Sequence, residues 1–280
     1  APSLASTGGI ATRNWPDMPP QGFRWAGAEY GRGRPLVLLH GLGMRHTAWA
    51  PVIPALAEER RVIALDVPGF GDTPMLPGGA TPSLAALAAA LQEELRQRGI
   101  ETPVDVAGNS MGGGIALALA LRGDARAVAA LSPAGVWPDD SPTHTRPTLR
   151  LLRLGVRHGA LAADLALRVG LLRRLMLAVP VSPNAHRIPA DTARALARDL
   201  AQAPGTLPTL NAIAPLHGLT QLSTPCSVAF GRRDWLLTGS RRWRDRLPRH
   251  VRWSTPPNWG HVPMWDDPAG VADWILEATR

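Results

Sequence analysis

Apolar and polar positions follow a rhythm along most of the chain. The stretch "FRWAGAEY" (23–30) alternates as a half-buried strand does, whereas "PLVLLH" (35–40) and "RVIALD" (61–66) are short unbroken apolar runs, as in strands covered on both faces. Between these two runs "TAWAPVIPALAEE" reads as a helix. The pattern predicts a helix over about 83–97, a strand over 103–108, a helix over 111–121 and a strand over 127–132. From about Trp137 to Leu219 the rhythm breaks into Leu, Ala and Arg segments with no convincing strand. It resumes with "CSVAFG" (226–231), a helix over 240–247, "VRWST" (251–255) and a helix over 268–279. Apolar strands separated by helices imply the α/β class, with a mostly parallel twisted sheet flanked by helices. The expected organisation is an N-terminal arm (1–20), a core (21–136 and 220–280) and a helical lid insertion (137–219). Chemistry in such a sheet is expected at the carboxyl ends of the strands.

Composition narrows this picture. With 45% hydrophobic and 19% charged residues over 280 positions, the chain is expected to fold as a globular protein. No apolar run is long enough for a membrane span, and the first residues lack a basic segment followed by an apolar one. Integral membrane association and a signal peptide are therefore not expected, and a cytoplasmic location is. The single cysteine, Cys226, excludes an internal disulfide, and its apolar surroundings predict a small buried side chain. The net charge is +8 and all 30 basic residues are Arg. Ten of them fall in 141–205 against Asp164, Asp191 and Asp199. Because they alternate with Leu and Ala at helical spacing, they read as a solvated helix face, and nucleic acid is not an expected partner. "HGLG" (40–43) lacks the GxxxxGK[ST] pattern and the chain has no Lys, so no nucleotide cradle is expected.

Candidate chemistry centres on "GNSMG" (108–112), where Ser110 stands between a predicted strand and a predicted helix. That is the setting of a nucleophile elbow, in which a strained turn lifts the hydroxyl clear of the backbone. A serine hydroxyl needs a base, and His261 in "NWGHVPMWDDP" falls after the last predicted strand. His40 and His46 flank a glycine loop, His144, His158, His186 and His217 belong to the insertion, and His250 precedes a strand. The imidazole in turn needs a carboxylate. Asp234, directly after the strand 226–231, is the first choice, with Asp139 or Asp140 as alternatives and Asp266 and Asp267 read as helix caps. Among ten Trp, Trp137 and Trp265 are the candidates for lining a pocket over Ser110.

The motifs "LLHGLG" (38–43), "ALDVPGFGDT" (64–73), "GNSMGG" (108–113), "FGRRD" (230–234) and "GHVPMW" (260–265) together resemble the α/β-hydrolase fold family with a lid. The resemblance covers about 23–280 outside the lid, and it implies a Ser-His-Asp site with an oxyanion hole made by the backbone N–H groups of Leu42 and Met111, with Gly43 as the alternative to Leu42. Family members that open epoxides or remove halogens carry Asp at the nucleophile position, and Ser110 argues against both. "GNSMGG" is similar to hydrolases that cleave carbon–carbon bonds in ring-opened aromatic catabolites, although "GLGMRHTAW" replaces their Gly-Pro-Gly loop. The expected function is a serine hydrolase of carboxylic esters carrying small to medium apolar or aromatic groups, with no cofactor and no metal. Carbon–carbon hydrolysis and a non-catalytic ligand-binding role are the alternatives.

Overall fold

A computed structural model describes residues 22–138, 145–238 and 240–280. Seven strands form one sheet in the order β1-β3-β2-β4-β5-β6-β7: β1 Gly27–Tyr30, β2 Pro35–Leu39, β3 Arg61–Leu65, β4 Val104–Asn109, β5 Ala125–Leu131, β6 Cys226–Ala229 and β7 Arg252–Ser254. Only β1 is antiparallel to its neighbour, with Gly27 opposite Leu65. All other pairings are parallel. The unbroken apolar runs are explained by burial on both faces, since alternate residues of one strand enter different cores. Val37, Leu39, Ile63, Leu65 and Val128 pack with Leu87 and Leu91 of α2 (Leu84–Gln97) and Ile115 and Leu119 of α3 (Met111–Leu121). Leu36, Leu38, Val62, Ala64 and Ala129 pack on the other face with Leu56 of α1 (Ile53–Glu59) and Ile275 of α9 (Pro268–Ala278).

Most element boundaries fall within one or two residues of the sequence reading. Ser83 caps α2 by accepting from the Ala86 N–H at 3.2 Å, which fixes the start of that helix. Two predicted helices differ. The segment after His40 divides into a 3₁₀ turn, His46–Trp49, and α1, because Pro51 and Pro54 cannot donate within a continuous helix. The segment Ser240–Arg246 is 3₁₀ and not α-helical.

Between β5 and β6 the described residues form five α-helices: α4 Thr145–His158, α5 Ala160–Arg168, α6 Gly170–Leu177, α7 Ala190–Gln202 and α8 Thr206–Ala212. Their inward residues, including Val156, Leu167, Leu177 and Leu196, join the α1/α9 core layer above the carboxyl ends of the strands. The opposite end of the sheet carries charge instead. Asp105 near the start of β4 is fully buried and paired with Arg34 at 3.0 Å, Arg126 at 2.6 Å and Arg60.

Candidate active site

Ser110 occupies the single residue between β4 and α3, with φ +53° and ψ −114°. An L-residue pays strain for such a conformation, and it persists only where the surroundings dictate it. Here they do. The Ser110 N–H donates to Leu131 O at 2.8 Å, and its carbonyl accepts from Gly114 N at 3.0 Å and Ala134 N at 2.8 Å. The glycines of the motif permit close approach of helix and sheet: a Cβ on Gly112 would lie 2.1 Å from Leu39 O, and one on Gly108 2.2 Å from Gly112 O. Helix α3 is apolar on all sides, as a helix held between the sheet and α2 must be.

His261 follows β7 in a loop pinned from three sides. Its carbonyl accepts from Asn109 Nδ2 at 2.8 Å, the next residue donates from Val262 N to Val181 O at 2.9 Å, and the preceding Gly260 N donates to Asp266 at 2.6 Å. His261 Nδ1 lies 2.9 Å from Asp234 Oδ2, and both side chains are buried. Asp234 also accepts from Leu236 N at 3.0 Å and Leu237 N at 2.9 Å. Burial raises the Asp234 pKa, but the charge and hydrogen bond of His261, the Leu237 N–H and the Ser132 hydroxyl outweigh it, and the net shift is downward. The carboxylate is therefore kept ionised, and it favours the tautomer with the proton on Nδ1. That leaves Nε2 as the basic atom.

Two cavities meet at Ser110. One, of about 680 Å³, is lined by Ser110, His261 and Asn109 on the sheet side and by aliphatic residues of α4, α5, α6 and α7 above. Among the described residues that line it there is no Asp, Glu, Arg, Phe, Tyr or Trp. The second, of about 470 Å³, shares Ser110, Leu42 and Leu149 and adds Trp137, Arg146 and Ile213. Trp137 is held there edge-on to Trp243, with ring centroids 6.1 Å apart. Trp265 lines neither cavity. It ends the turn Pro263–Trp265 that leads towards α9, and it packs against the α1/α9 layer. Leu42 and Gly43 form the corner of a turn closed by Met44 N to Gly41 O at 3.2 Å, with Gly43 at φ +71°. A Cβ on Gly43 would lie 2.5 Å from Leu200 Cδ1, so the turn lies directly under α7. Met111 is the first residue of α3, where a backbone N–H has no acceptor within the helix. Asp139 and Asp140 lie outside the described residues.

The sequence profile of the alpha/beta hydrolase fold matches residues 34–268. The chain belongs to the α/β-hydrolase family. Over 203 residues, 69% of this chain and 93% of the relative, it is 30% identical to the epoxide hydrolase EphH of Mycobacterium tuberculosis. It is 43% identical over 100 residues to the 2-hydroxy-6-oxo-2,4-heptadienoate hydrolase of Pseudomonas putida, a match that spans 34% of each chain. The fold is similar to that of a thermophilic esterase from Thermogutta terrifontis, with a TM-score of 0.69 and 24% identity over 91% of this chain and 94% of that one. The protein is accordingly a hydrolase of this superfamily.

Within this α/β-hydrolase several supporting residues escaped sequence reasoning. His40 Nδ1 lies 2.8 Å from Gly41 O while Nε2 accepts from Val67 N at 2.9 Å, so a fully buried neutral ring braces the Leu42 turn. Burial is the main reason that the His40 pKa is lowered, and nearby Asp66 only partly opposes it. Ser132, at φ +46°, ends β5 beside Asp234. Asp267 caps α9 as expected, accepting from Gly270 N at 3.1 Å. Asp266 instead binds Gly260 N and the Ser182 hydroxyl, tying the His261 loop to the end of α6. Burial raises the Asp266 pKa against the pull of these hydrogen bonds. Among the described residues no group of His, Cys, Asp or Glu is set to hold a metal ion.

Proposed function

We propose that this hydrolase cleaves carboxylic esters through an acyl-enzyme on Ser110. The observation that carries the reading is the buried His261 Nδ1 to Asp234 contact of 2.9 Å beside a cavity that Ser110 and His261 both line. Ser110 Oγ attacks the ester carbonyl while His261 Nε2 takes its proton. The tetrahedral oxyanion is held by the Leu42 and Met111 N–H groups, each of which contributes about 3 to 4 kcal/mol to the transition state in such a hole. Collapse breaks the bond to the alkoxy group, which leaves as an alcohol with the proton from Nε2. Water, deprotonated by the same nitrogen, then attacks the acyl-enzyme, and the acid and free Ser110 are released. Asp234 stabilises the imidazolium at both stages.

Residues 137–219 act as a lid over the core, and their aliphatic lining supports small to medium apolar acyl groups in the larger cavity. Trp137 in the second cavity suits an apolar or aromatic alkoxy group. Two neighbouring chemistries fit less well. Epoxide opening through a carboxylate nucleophile lacks its carboxylate at position 110. Carbon–carbon hydrolysis of a dienoate, the substrate named for the Pseudomonas putida relative, would bring a carboxylate to Ser110, where the only Arg among the described lining residues, Arg146 of the second cavity, already donates to Ile213 O at 2.6 Å.

A fluorophosphonate probe tests the reading directly. Native protein is expected to be labelled, and Ser110→Ala to lose both labelling and turnover of p-nitrophenyl butyrate by at least about 10⁴-fold while melting as the native chain does. Undiminished turnover in Ser110→Ala would remove the nucleophile assignment, and an unlabelled native protein would favour the ligand-binding alternative.

A further inference from the structure

Helices α4, α5 and α6 are apolar on two sides. Their inner sides supply Leu149, Leu152, Val156, Leu167, Met176 and Leu177 to the cavity over Ser110. Their outer sides expose Leu151, Leu154, Leu161, Leu165, Val169, Leu171, Leu172 and Leu175 to solvent, by 42% to 85%. Only Leu207 and Trp235 are otherwise exposed to a comparable degree among the large hydrophobic residues described. A helix with apolar residues all round is ordinarily covered on every side. Isolated exposed apolar residues are common, but seven leucines and Val169 within residues 151–175, on and between helices that pack against one another, are not.

The charge around this face identifies what covers it. Residues 145–175 contain seven Arg (146, 150, 153, 157, 168, 173 and 174), of which Arg173 is buried and Arg146 lines the second cavity, against Asp164 alone, a formal excess of six. Arg168 and Arg194 already claim that carboxylate. Beside Leu161 lies a groove of about 720 Å³ in which Arg157, Arg198 and the Asp164–Arg194 ion pair meet an apolar floor of Val156, Ala163 and Leu167. Both Arg157 and Arg198 are exposed, and neither has a carboxylate partner among the described residues. Leucines flanked by arginines, with a guanidinium-bearing groove at their border, match the chemistry of an anionic lipid surface. Acyl chains take the leucines, and headgroup phosphates take the guanidinium groups. A second copy of this chain would oppose one positive face to another.

We propose that the outer face of α4–α6 docks on anionic bilayers, with Arg157 and Arg198 binding headgroup phosphate beside Leu161. No helix among the described residues is long and apolar enough to cross a membrane, so the contact lies in the interfacial plane. It places the three helices that roof the Ser110 cavity against the lipid. The surface stands whether or not Ser110 is a nucleophile, because binding is read without turnover.

Co-sedimentation of the whole chain with vesicles of phosphatidylcholine, alone or mixed with phosphatidylglycerol, tests the proposal. Binding is expected only to the mixed vesicles, to fall at high salt, and to resist competition by inorganic phosphate, which lacks the apolar component. Replacing Leu151, Leu165, Leu171 and Leu175 by Gln should weaken binding by at least about tenfold, and Arg157→Gln with Arg198→Gln by about tenfold. Turnover of a short soluble ester should be unchanged in both. If the fourfold variant does not fold, the double Arg variant, which removes no leucine, carries the test. Failure of the native chain to bind mixed vesicles, equal binding to both vesicle types, or undiminished binding by the variants would overturn the proposal. So would a native dimer that the leucine changes dissociate while vesicle binding is absent.

Discussion

Two carboxylate–imidazole pairs with the same distance lie at the same end of the sheet, and they do different things. In one, Asp234 Oδ2 is 2.9 Å from His261 Nδ1; in the other, Asp66 Oδ1 is 2.9 Å from His46 Nδ1. Both carboxylates are buried and both accept backbone N–H groups. Asp234 takes those of Leu236 and Leu237 and leaves its histidine on the wall of the Ser110 cavity. Asp66 takes those of His46 at 2.6 Å and Asp72 at 3.0 Å, and neither it nor His46 lines either cavity. Its carboxylate folds the loop after β3 against the turn that follows β2. The difference teaches that the pair alone does not define the chemistry. What matters is whether the second imidazole nitrogen meets a space that a substrate can enter.

Breaking the first pair should have the largest effect. Asp234→Asn keeps an acceptor for the Leu236 and Leu237 N–H groups but no longer favours the tautomer with Nδ1–H. Its kcat on a soluble ester is expected to fall by about 10³- to 10⁴-fold, with stability changed far less. Steady-state kinetics beside a thermal melt checks this. A loss of activity matched by a loss of fold would reduce Asp234 to a structural residue like Asp66.

Asp66→Asn should show the opposite pattern. Burial raises the Asp66 pKa, but the hydrogen bond from the His46 ring and the N–H groups of His46 and Asp72 outweigh it, and the net shift brings it down to about 2. A carboxyl lowered from its ordinary value of 3.8 to about 2 contributes about 2 kcal/mol to folding at neutral pH. The substitution is expected to remove a comparable amount in urea denaturation and to leave kcat close to native. The sign with pH follows from the depressed value. The native advantage over Asp66→Asn is fully present above pH 4, the ordinary range of an unfolded Asp, and disappears as pH falls towards about 2. An advantage that grew on acidification would contradict the assignment.

The legibility of these regions in the sequence differed for physical reasons. Strands buried on both faces write themselves as continuous apolar runs, so β2 through β6 could be read directly, and Ser110, Asp234 and His261 followed from their places after β4, β6 and β7. Asp66 also stands at a strand end, in "ALDVPGFGDT", but its partner lies 20 residues earlier in a turn that periodicity does not register. Ser132 and Asp266 act through contacts that depend on how loops meet in space. Trp265 was drawn towards the pocket by its nearness to His261 in sequence, yet the Pro263 turn carries it to the α9 side. In the helical segment, Leu and Arg spacing marks helices but not which leucines face inward and which outward, because that depends on how the helices pack on one another and on the core.

The smallest expected effect sharpens the comparison most. His46→Gln removes one hydrogen bond to Asp66, but Asp66 keeps the His46 and Asp72 N–H groups, and the His46 side chain is already 18% exposed. Losing one such bond while the buried carboxylate stays partnered costs about 1 kcal/mol. If the second pair is structural, this cost appears in denaturant unfolding alone, and kcat/KM for a soluble ester stays at the native value, because His46 lines neither cavity. A fall in kcat/KM without a matching loss of fold would mean that the two pairs are coupled through the turn that His40 braces, and that the separation of a chemical pair from a structural one does not hold.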